Sequence, residues 1–288
     1  MRRSFVLSAV AAALATPAFA GAGETAPWSD WFADPIVEGL VALLIVCYFS
    51  GLAGMLARER QKWPVGAGRV VSFFGAMIVI VAALLSPIDA FADELLSAHM
   101  LQHLLLMLGA APLLALSDAH LVLIRALPLA GRRRLGRAVA GIPGVKAAAR
   151  KELAAWLAAA LFIGTLWFWH VPAAYDWALG NPFVHSCEHL MLLAAATFFW
   201  RVIVTSGNRR LSPGMAVLLV SLVGIQGAFL SALIMFAPHG LYAAYAGNPL
   251  NDQVLAGVLM CIPASFVYLG STIWALSRML GNGHSHVG

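Results

Sequence analysis

The sequence predicts an all-α membrane protein, a bundle of seven transmembrane helices. The first observation is composition: of 288 residues, 61% are hydrophobic and 11% are charged, and the mean hydropathy is +0.84. Soluble domains carry about 25% charged residues, so this chain has too few for a water-exposed surface. The second observation is that apolar runs of roughly 20 residues, long enough to cross a bilayer, recur along the chain.

The apolar runs predict spans with boundaries near residues 36–57, 69–87, 95–117, 152–170, 186–206, 214–236 and 253–279. Residues that end or cap helices lie between them. Ser86-Pro87 closes the second span, and Asn251 or Asp252 can cap the seventh. The segment 118–151 is predicted to be a basic cytoplasmic loop at the membrane surface, and not a separate domain.

The first 20 residues have the pattern of a signal peptide. Arg2 and Arg3 precede a short apolar core, and Ala18-Phe19-Ala20 forms a small-residue cleavage site. The alternative is an uncleaved first helix. In both cases residue 21 onward begins outside the cytoplasm, so we expect a single domain over 21–288 with its N-terminus in the periplasm.

The basic residues agree with this orientation. Of the eighteen Lys and Arg residues, the sixteen other than Arg2 and Arg3 lie in the segments 58–69, 118–151 and 201–213 or near the C-terminus. Lys and Arg accumulate in cytoplasmic loops. The sequence therefore predicts a cytoplasmic C-terminus and a place in a bacterial inner membrane, in contact with lipid. Because the positive charge is explained by topology, the pI of about 9.4 does not indicate nucleic-acid binding.

The histidines concentrate on the predicted outer side. Six of the nine fall there: His99, His103, His170, His185, His189 and His239. His99/His103 and His185/His189 are i,i+4 pairs, which places each pair on one helix face. Chance alone predicts roughly 0.3 such pairs in a chain of this composition. Since imidazole is the commonest metal ligand, these four histidines are the predicted metal ligands.

Other residues near the pairs are auxiliary candidates. They are His170, Glu188, Gln102, Asp252, Met100, Met107, Cys187 and Tyr175. Tyr175 and Asp176 are expected to lie in a short loop that covers the site. Imidazole together with thioether or thiolate sulfur favours copper, and zinc remains an alternative. The methionines also fit ordinary apolar packing at helical spacing.

Two other chemistries stay open. His185-Ser186-Cys187-Glu188-His189 matches the H-x-x-E-H pattern of inverted zinc peptidases, in which two histidines hold zinc and the glutamate activates water. In this chain Glu188 could instead orient a ligand histidine. Histidines on facing helices could also bind haem b in an electron carrier.

Several of these stretches together resemble the multi-spanning CtaG-type cytochrome c oxidase assembly factors. The matching pieces are Ser97-Ala98-His99-Met100-Leu101-Gln102-His103, Trp169-His170-Val171-Pro172 with Tyr175, then His185, Glu188 and His189, and finally Asp252-Gln253 ahead of Ala256-Gly257.

The resemblance implies a protein that is not an enzyme and that helps to assemble a haem–copper oxidase by bringing copper to it. Its expected partners are cytochrome c oxidase subunits and periplasmic copper chaperones.

Overall fold

The computed structural model describes residues 34–57, 65–141, 151–204, 211–247 and 250–283. These residues are helical apart from short connections, and they contain no strand. The helices, in chain order, are α1 Pro35–Leu56, α2 Ala67–Leu84, α3 Pro87–Glu94, α4 Leu96–Ser117, α5 Ala119–Ala126, α6 Leu129–Gly141, α7 Lys151–Trp169, α8 Pro172–Leu179, α9 Pro182–Val204, α10 Pro213–Phe236 and α11 Leu250–Gly283.

Seven of these helices are long and apolar enough to cross a membrane: α1, α2, α4, α7, α9, α10 and α11. They confirm the seven predicted spans. The fifth begins earlier than predicted, at Pro182, because the Asn181 side chain accepts hydrogen bonds from the backbone N–H groups of Phe183 (3.0 Å) and Val184 (3.2 Å). His185 therefore lies inside the helix together with His189.

The predictions that fall on the N-terminal signal peptide lie outside the described residues. The same holds for several basic residues of the loops and for the histidines of the tail: Arg58, Arg60, Lys62, Lys146, Arg150, Arg209, Arg210, His284 and His286.

The remaining helices are short and join the spans. Tyr175 and Asp176, which the sequence analysis placed in a loop, lie in α8. That prediction was wrong because Pro172 pre-sets the backbone for a helical first turn. In the segment predicted to be a basic loop, α5 and α6 occupy residues 119–141.

Helix α4 lies at the centre of the bundle. It contributes Leu106 and Ala110 to an apolar core shared with α1, α2 and α5, and Met107 and Ala111 to a larger core shared with α7, α9, α10 and α11. More than half of α4 is buried, a larger share than in any other described span. Residues on α4 are therefore fixed by neighbours on several sides.

Two glycines permit close helix contacts. A Cβ atom on Gly51 of α1 would collide with the carbonyl oxygen of Val122 in α5. A Cβ atom on Gly257 of α11 would lie 2.9 Å from the carbonyl oxygen of Ser231 in α10. Small residues let transmembrane helices approach each other closely, so these positions fix how α1 and α11 pack.

Asp118 joins three elements at the end of the bundle away from the two histidine pairs. It follows α4 with φ of 50°, and its carboxylate pairs with Arg69 of α2 at 2.9 Å and with Arg201 of α9. This ion pair holds the ends of α4 and α9 together, which also sets the relative position of their other ends.

A π-helical turn over Leu105–Ala110 interrupts α4 just after His103. Within this turn the carbonyl of Met107 accepts a hydrogen bond of 2.9 Å from the indole N–H of Trp200 in α9. Single π turns inside α-helices are frequent at functional sites. The bond joins α4 to α9 beneath their histidines.

The N-terminus of α4 is capped by a residue of α11. The carboxylate of Asp252 accepts hydrogen bonds from the backbone N–H of Leu96 (2.8 Å) and from the N–H (3.2 Å) and hydroxyl of Ser97. The expectation that Asn251 or Asp252 caps the seventh span was wrong, because α11 begins before them, at Leu250. Leu95, which precedes α4, has no side chain able to accept these bonds, so the cap comes from a distant residue.

We predict that Asp252→Ala lowers the free energy of unfolding by about 2 kcal/mol, because it leaves two buried N–H groups without an acceptor. Denaturation of the purified protein in mixed detergent micelles measures this. Asn251→Ala is the matched control, since Asn251 is the exposed neighbour of Asp252 and its removal should change little. Equal stability of the two variants would contradict the capping role.

Candidate metal centre

The two histidine pairs meet in space. His99 and His103 lie near the start of α4, and His185 and His189 near the start of α9. The ring centroid of His99 lies 5.1 Å from that of His185 and 5.8 Å from that of His189, and His103 lies 5.5 Å from His189. His170, at the end of α7, joins them with its ring centroid 5.9 Å from that of His103. We call these five residues the histidine cluster.

The histidine cluster lies inside the protein. His99 and His103 are fully buried, His170 and His189 are nearly so, and His185 is half-buried. The Nε2 atoms of His99 and His103 are 3.0 Å apart. Nitrogens that bind one tetrahedral ion at 2.0–2.1 Å lie about 3.4 Å from each other, so this separation is close to what a shared ion requires.

Two overlapping sets of side chains could hold an ion. The first is His99, His103 and His189, and the second is His99, His185 and Glu188; in each set the potential ligand atoms lie within 4.8 Å of one another. His99 belongs to both sets. The first set is entirely buried, while the second includes the half-buried His185 and is therefore nearer the surface.

Several ring nitrogens of the cluster lack hydrogen-bond partners. Within the described ranges, the buried Nε2 atoms of His170, His185 and His189 and the Nδ1 atom of His103 bond to no other group. Buried polar atoms in proteins are nearly always paired. Four unpaired nitrogens in one small volume are explained if they act as ligands.

Glu188 lies among these rings. It is fully buried, neither carboxylate oxygen has a hydrogen-bond partner in the part of the chain that the structure describes, and one oxygen is 3.5 Å from Nε2 of His103. Burying an uncompensated carboxylate costs several kcal/mol, so such a group is either protonated or balanced by a cation. The sequence analysis gave Glu188 an orienting role, and the geometry also puts it within reach of an ion.

His170 is oriented by its own helix. Its Nδ1–H donates to the carbonyl oxygen of Leu166 at 2.7 Å, which leaves the lone pair on Nε2. Burial lowers the pKa of His170 to about 4, so the ring is neutral at pH 7. A metal-binding imidazole commonly donates its other N–H to a carbonyl in this way.

Tyrosines enclose the cluster from the loop before α11. The hydroxyl of Tyr245 donates to the carbonyl of Ala92 and lies 3.4 Å from Nδ1 of His99, so it can accept the Nδ1–H of that ring. Tyr175 stacks on Tyr242 with ring centroids 4.0 Å apart. Sequence reasoning identified Tyr175 but missed Tyr242 and Tyr245. The signal was a pair of tyrosines in the last outer loop.

Gln253 holds this loop in place. Its amide oxygen accepts from the N–H of Leu241 at 2.9 Å, and its amide nitrogen donates to the carbonyl of His239 at 3.2 Å. Asp252 and Gln253 therefore act on two sides of the site, since one caps α4 and the other fixes the loop that carries Tyr245. His239 itself is exposed and lies outside the cluster.

The structure gives the remaining auxiliary candidates contacts other than those of His170 and Glu188. These candidates are Gln102, Met100, Met107 and Cys187. The amide nitrogen of Gln102 donates to the carbonyl of Ala83 (2.9 Å) and to Asp89 (2.7 Å), which ties α4 to α2 and α3. Met100 and Met107 are buried in the apolar core, where packing accounts for them. Cys187 is half-buried and belongs to neither set of potential ligands among the described residues.

A protein-family model described as cytochrome c oxidase caa3 assembly factor, or Caa3_CtaG, matches residues 46–282. This range includes the whole histidine cluster, Glu188, Tyr245 and Asp252.

Two curated proteins are also similar, one from Mycobacterium bovis and one from Mycobacterium tuberculosis, both named as uncharacterized proteins. Each is 24% identical over 221 residues, which is 71% of this chain and 31% of the relative. The chain thus matches about a third of the length of these relatives. No solved structure matches it.

We predict that Tyr245→Phe weakens copper binding about 10-fold, because groups that orient a ligand histidine typically contribute 10–100-fold to affinity. Titration of the detergent-solubilised protein against a competing chelator measures the affinity. Tyr48→Phe is the matched control, as Tyr48 is also buried but stacks on Phe73 in the other core. An unchanged affinity in Tyr245→Phe would show that the hydroxyl does not orient His99.

Proposed function

The chain belongs to the caa3 cytochrome c oxidase assembly factor family, and from this premise we propose that it binds copper at the histidine cluster and delivers it to the oxidase. The copper is cargo, and the protein itself is not an enzyme. Its partners are then the cytochrome c oxidase subunits that receive the ion and periplasmic copper chaperones that supply it.

The observation that carries this proposal is the group of unpaired ring nitrogens around Glu188. The proposed ligands are His99, His103, His185 and His189. His170 and Glu188 lie close enough to serve as additional ligands. Neutral imidazoles suit copper and zinc and are poor ligands for magnesium or calcium, which prefer oxygen. Copper is favoured over zinc because the recipient in this family is a cytochrome c oxidase.

The arrangement suits delivery better than permanent storage. A closed structural site has four ligands in a fixed tetrahedron. Here five imidazoles and a carboxylate offer more ligand atoms than one ion needs, and the two sets share His99. An ion can therefore exchange ligands one at a time and never become free.

The hydrolase alternative has less support. A zinc peptidase glutamate must activate water beside the metal. Glu188 is fully buried among imidazoles, with His103 at 3.5 Å, in a position that suits balancing the charge of an ion.

The haem alternative also has less support. Ring centroids of neighbouring pairs in the cluster lie 4.4 to 5.9 Å apart. Two axial imidazoles lie on opposite faces of a haem, and this spacing suits an ion rather than a macrocycle between them.

We propose that the histidine cluster faces the periplasm across a bacterial inner membrane. Among the described residues, Arg69, Arg201 and Asp118 meet at the opposite end of the bundle, where α4 and α9 end. Basic residues accumulate on the cytoplasmic side. The histidine end is then outside, where copper reaches a cytochrome oxidase under assembly.

The orientation predicts the behaviour of reporter fusions. A reporter that functions only in the cytoplasm should be active when fused to the C-terminus, and alkaline phosphatase, which functions only in the periplasm, should be inactive there. A phosphatase fused after Gly240, in the loop that carries His239, should show the reverse. An active phosphatase at the C-terminus would overturn the proposed orientation.

The function itself predicts a difference between His189→Ala and Glu188→Gln. His189→Ala removes a proposed ligand and should abolish both bound copper and oxidase maturation. Glu188→Gln should weaken copper binding about 10–100-fold and leave partial oxidase activity. Metal content by mass spectrometry and cytochrome c oxidase activity are measured in membranes from the same cells.

His239→Ala is the matched control, because it removes an exposed histidine from the same end of the protein without touching the cluster. It should retain copper and oxidase activity. Full metal content with no activity in Glu188→Gln would instead favour the hydrolase, whose glutamate acts on water and does not hold the metal.

A further inference from the structure

A cavity of 460 Å³ lies beside the histidine cluster, where α1, α3, α8 and α9 meet. Three carboxylates from two elements line it: Asp34 from the start of α1, and Asp89 and Asp93 from α3. On its other side it is lined by His185 and His189. We call this cavity the acidic vestibule.

The carboxylates of the acidic vestibule are held in place. Asp34 accepts hydrogen bonds from the N–H groups of Ile36 (2.8 Å) and Val37 (3.1 Å), and Asp89 accepts one from Gln102 (2.7 Å). Along the described chain, no lysine or arginine lines the cavity. The negative charge is therefore concentrated and has no basic side chain in the cavity wall to offset it.

Burial affects the pKa of two of these acids, Asp89 and Asp93. Burial raises the pKa of Asp89 to about 6, which still leaves it mostly ionised at pH 7. Burial also raises the pKa of Asp93, and the nearby His185 opposes that rise. A cleft lined by one sign of charge raises the local concentration and the association rate of ions of the opposite sign.

A second observation indicates where a captured ion goes. His189 lines the cavity, yet it is only 6% exposed, and its Nε2 atom has no hydrogen-bond partner among the residues that are described. The same residue belongs to the buried ligand set with His99 and His103. An unpaired imidazole nitrogen thus connects the acidic vestibule to the interior site.

We propose that the acidic vestibule is the entrance through which a hydrated copper cation reaches the histidine cluster. This inference rests on the proposed function and adds a path and an order of events. Carboxylate oxygens attract the cation and hold it loosely, and imidazole nitrogens, which copper prefers, then replace its water. The half-buried His185 meets the ion first, and the ion passes to His189, His103 and the shared His99.

The rate of copper uptake tests the entrance. Stopped-flow mixing of the full chain in detergent with Cu(II) buffered by glycine gives the association rate, read from quenching of tryptophan fluorescence. Trp169 is suitably placed, next to His170. The variant is the double substitution Asp34→Asn and Asp93→Asn. Asparagine caps a helix as well as aspartate does, so α1 keeps its N-terminal cap.

The double variant should bind copper about 10-fold more slowly at low ionic strength, since steering by a charged cleft changes association rates by 10–10³-fold. Its rate should depend less on salt than that of the unmodified protein. The amount of copper bound at saturation should be unchanged, because neither residue belongs to the ligand sets. Together these results support an entrance.

Glu38→Gln is the matched control. It removes one negative charge one turn beyond Asp34 along α1, but Glu38 is exposed and does not line the cavity. Its uptake rate should stay within about twofold of the unmodified protein, since exposed charges are screened by salt. Equal slowing in Glu38→Gln would mean a general charge effect and would overturn the entrance.

The other outcomes are distinguishable. Normal uptake by the double variant, with copper bound at saturation, would reject the acidic vestibule and leave the proposed function intact. Loss of bound copper at saturation would make Asp34 or Asp93 a ligand, which also overturns the inference. If the unmodified protein binds no copper, the proposed function itself is wrong.

Discussion

Four buried imidazoles, a half-buried one and a buried carboxylate meet at one end of an apolar bundle, and the need to pair these polar groups explains much of the nearby structure. Buried polar groups must be held by hydrogen bonds or by an ion. The carbonyl of Leu166 fixes the ring of His170, and the hydroxyl of Tyr245 is placed to fix that of His99. Four other ring nitrogens of the cluster have no partner among the described residues, so the neighbours leave them available to bind an ion.

Helix α4, which bears two of the histidines, is held by contacts along its length. Asp252 of α11 caps its first turn, Trp200 of α9 bonds to its π turn, and Asp118 at its end pairs with α2 and α9. These contacts come from three helices, α2, α9 and α11. A helix held at its start, middle and end cannot rotate about its axis, and rotation is the motion that would separate His99 and His103 from α9. The position of the histidines is thus set by contacts far from them in sequence.

The parts predicted correctly from sequence rest on local signals. Span length and the i,i+4 spacing of histidines depend on residues close together in the chain, so seven spans and two histidine pairs could be predicted. The cap by Asp252 could not, because it joins residues 155 and 156 positions apart. Tyr245 was missed for the same reason. Tyr175 was assigned to a loop because its helix is only eight residues long and contributes no apolar span.

The two overlapping ligand sets suggest why a delivery protein would have more ligands than one ion needs. An ion bound tightly by four fixed ligands leaves slowly, whereas release to a partner requires that ligands be given up one at a time. Because His99 belongs to both sets, the ion can keep one bond while His103 and His189 exchange with His185 and Glu188. The second set is nearer the surface, so the same exchange that admits an ion also brings it back toward the outside. Under the proposed function, binding and release would use one path in opposite directions, and a partner that offers stronger ligands at the outer end would determine the direction.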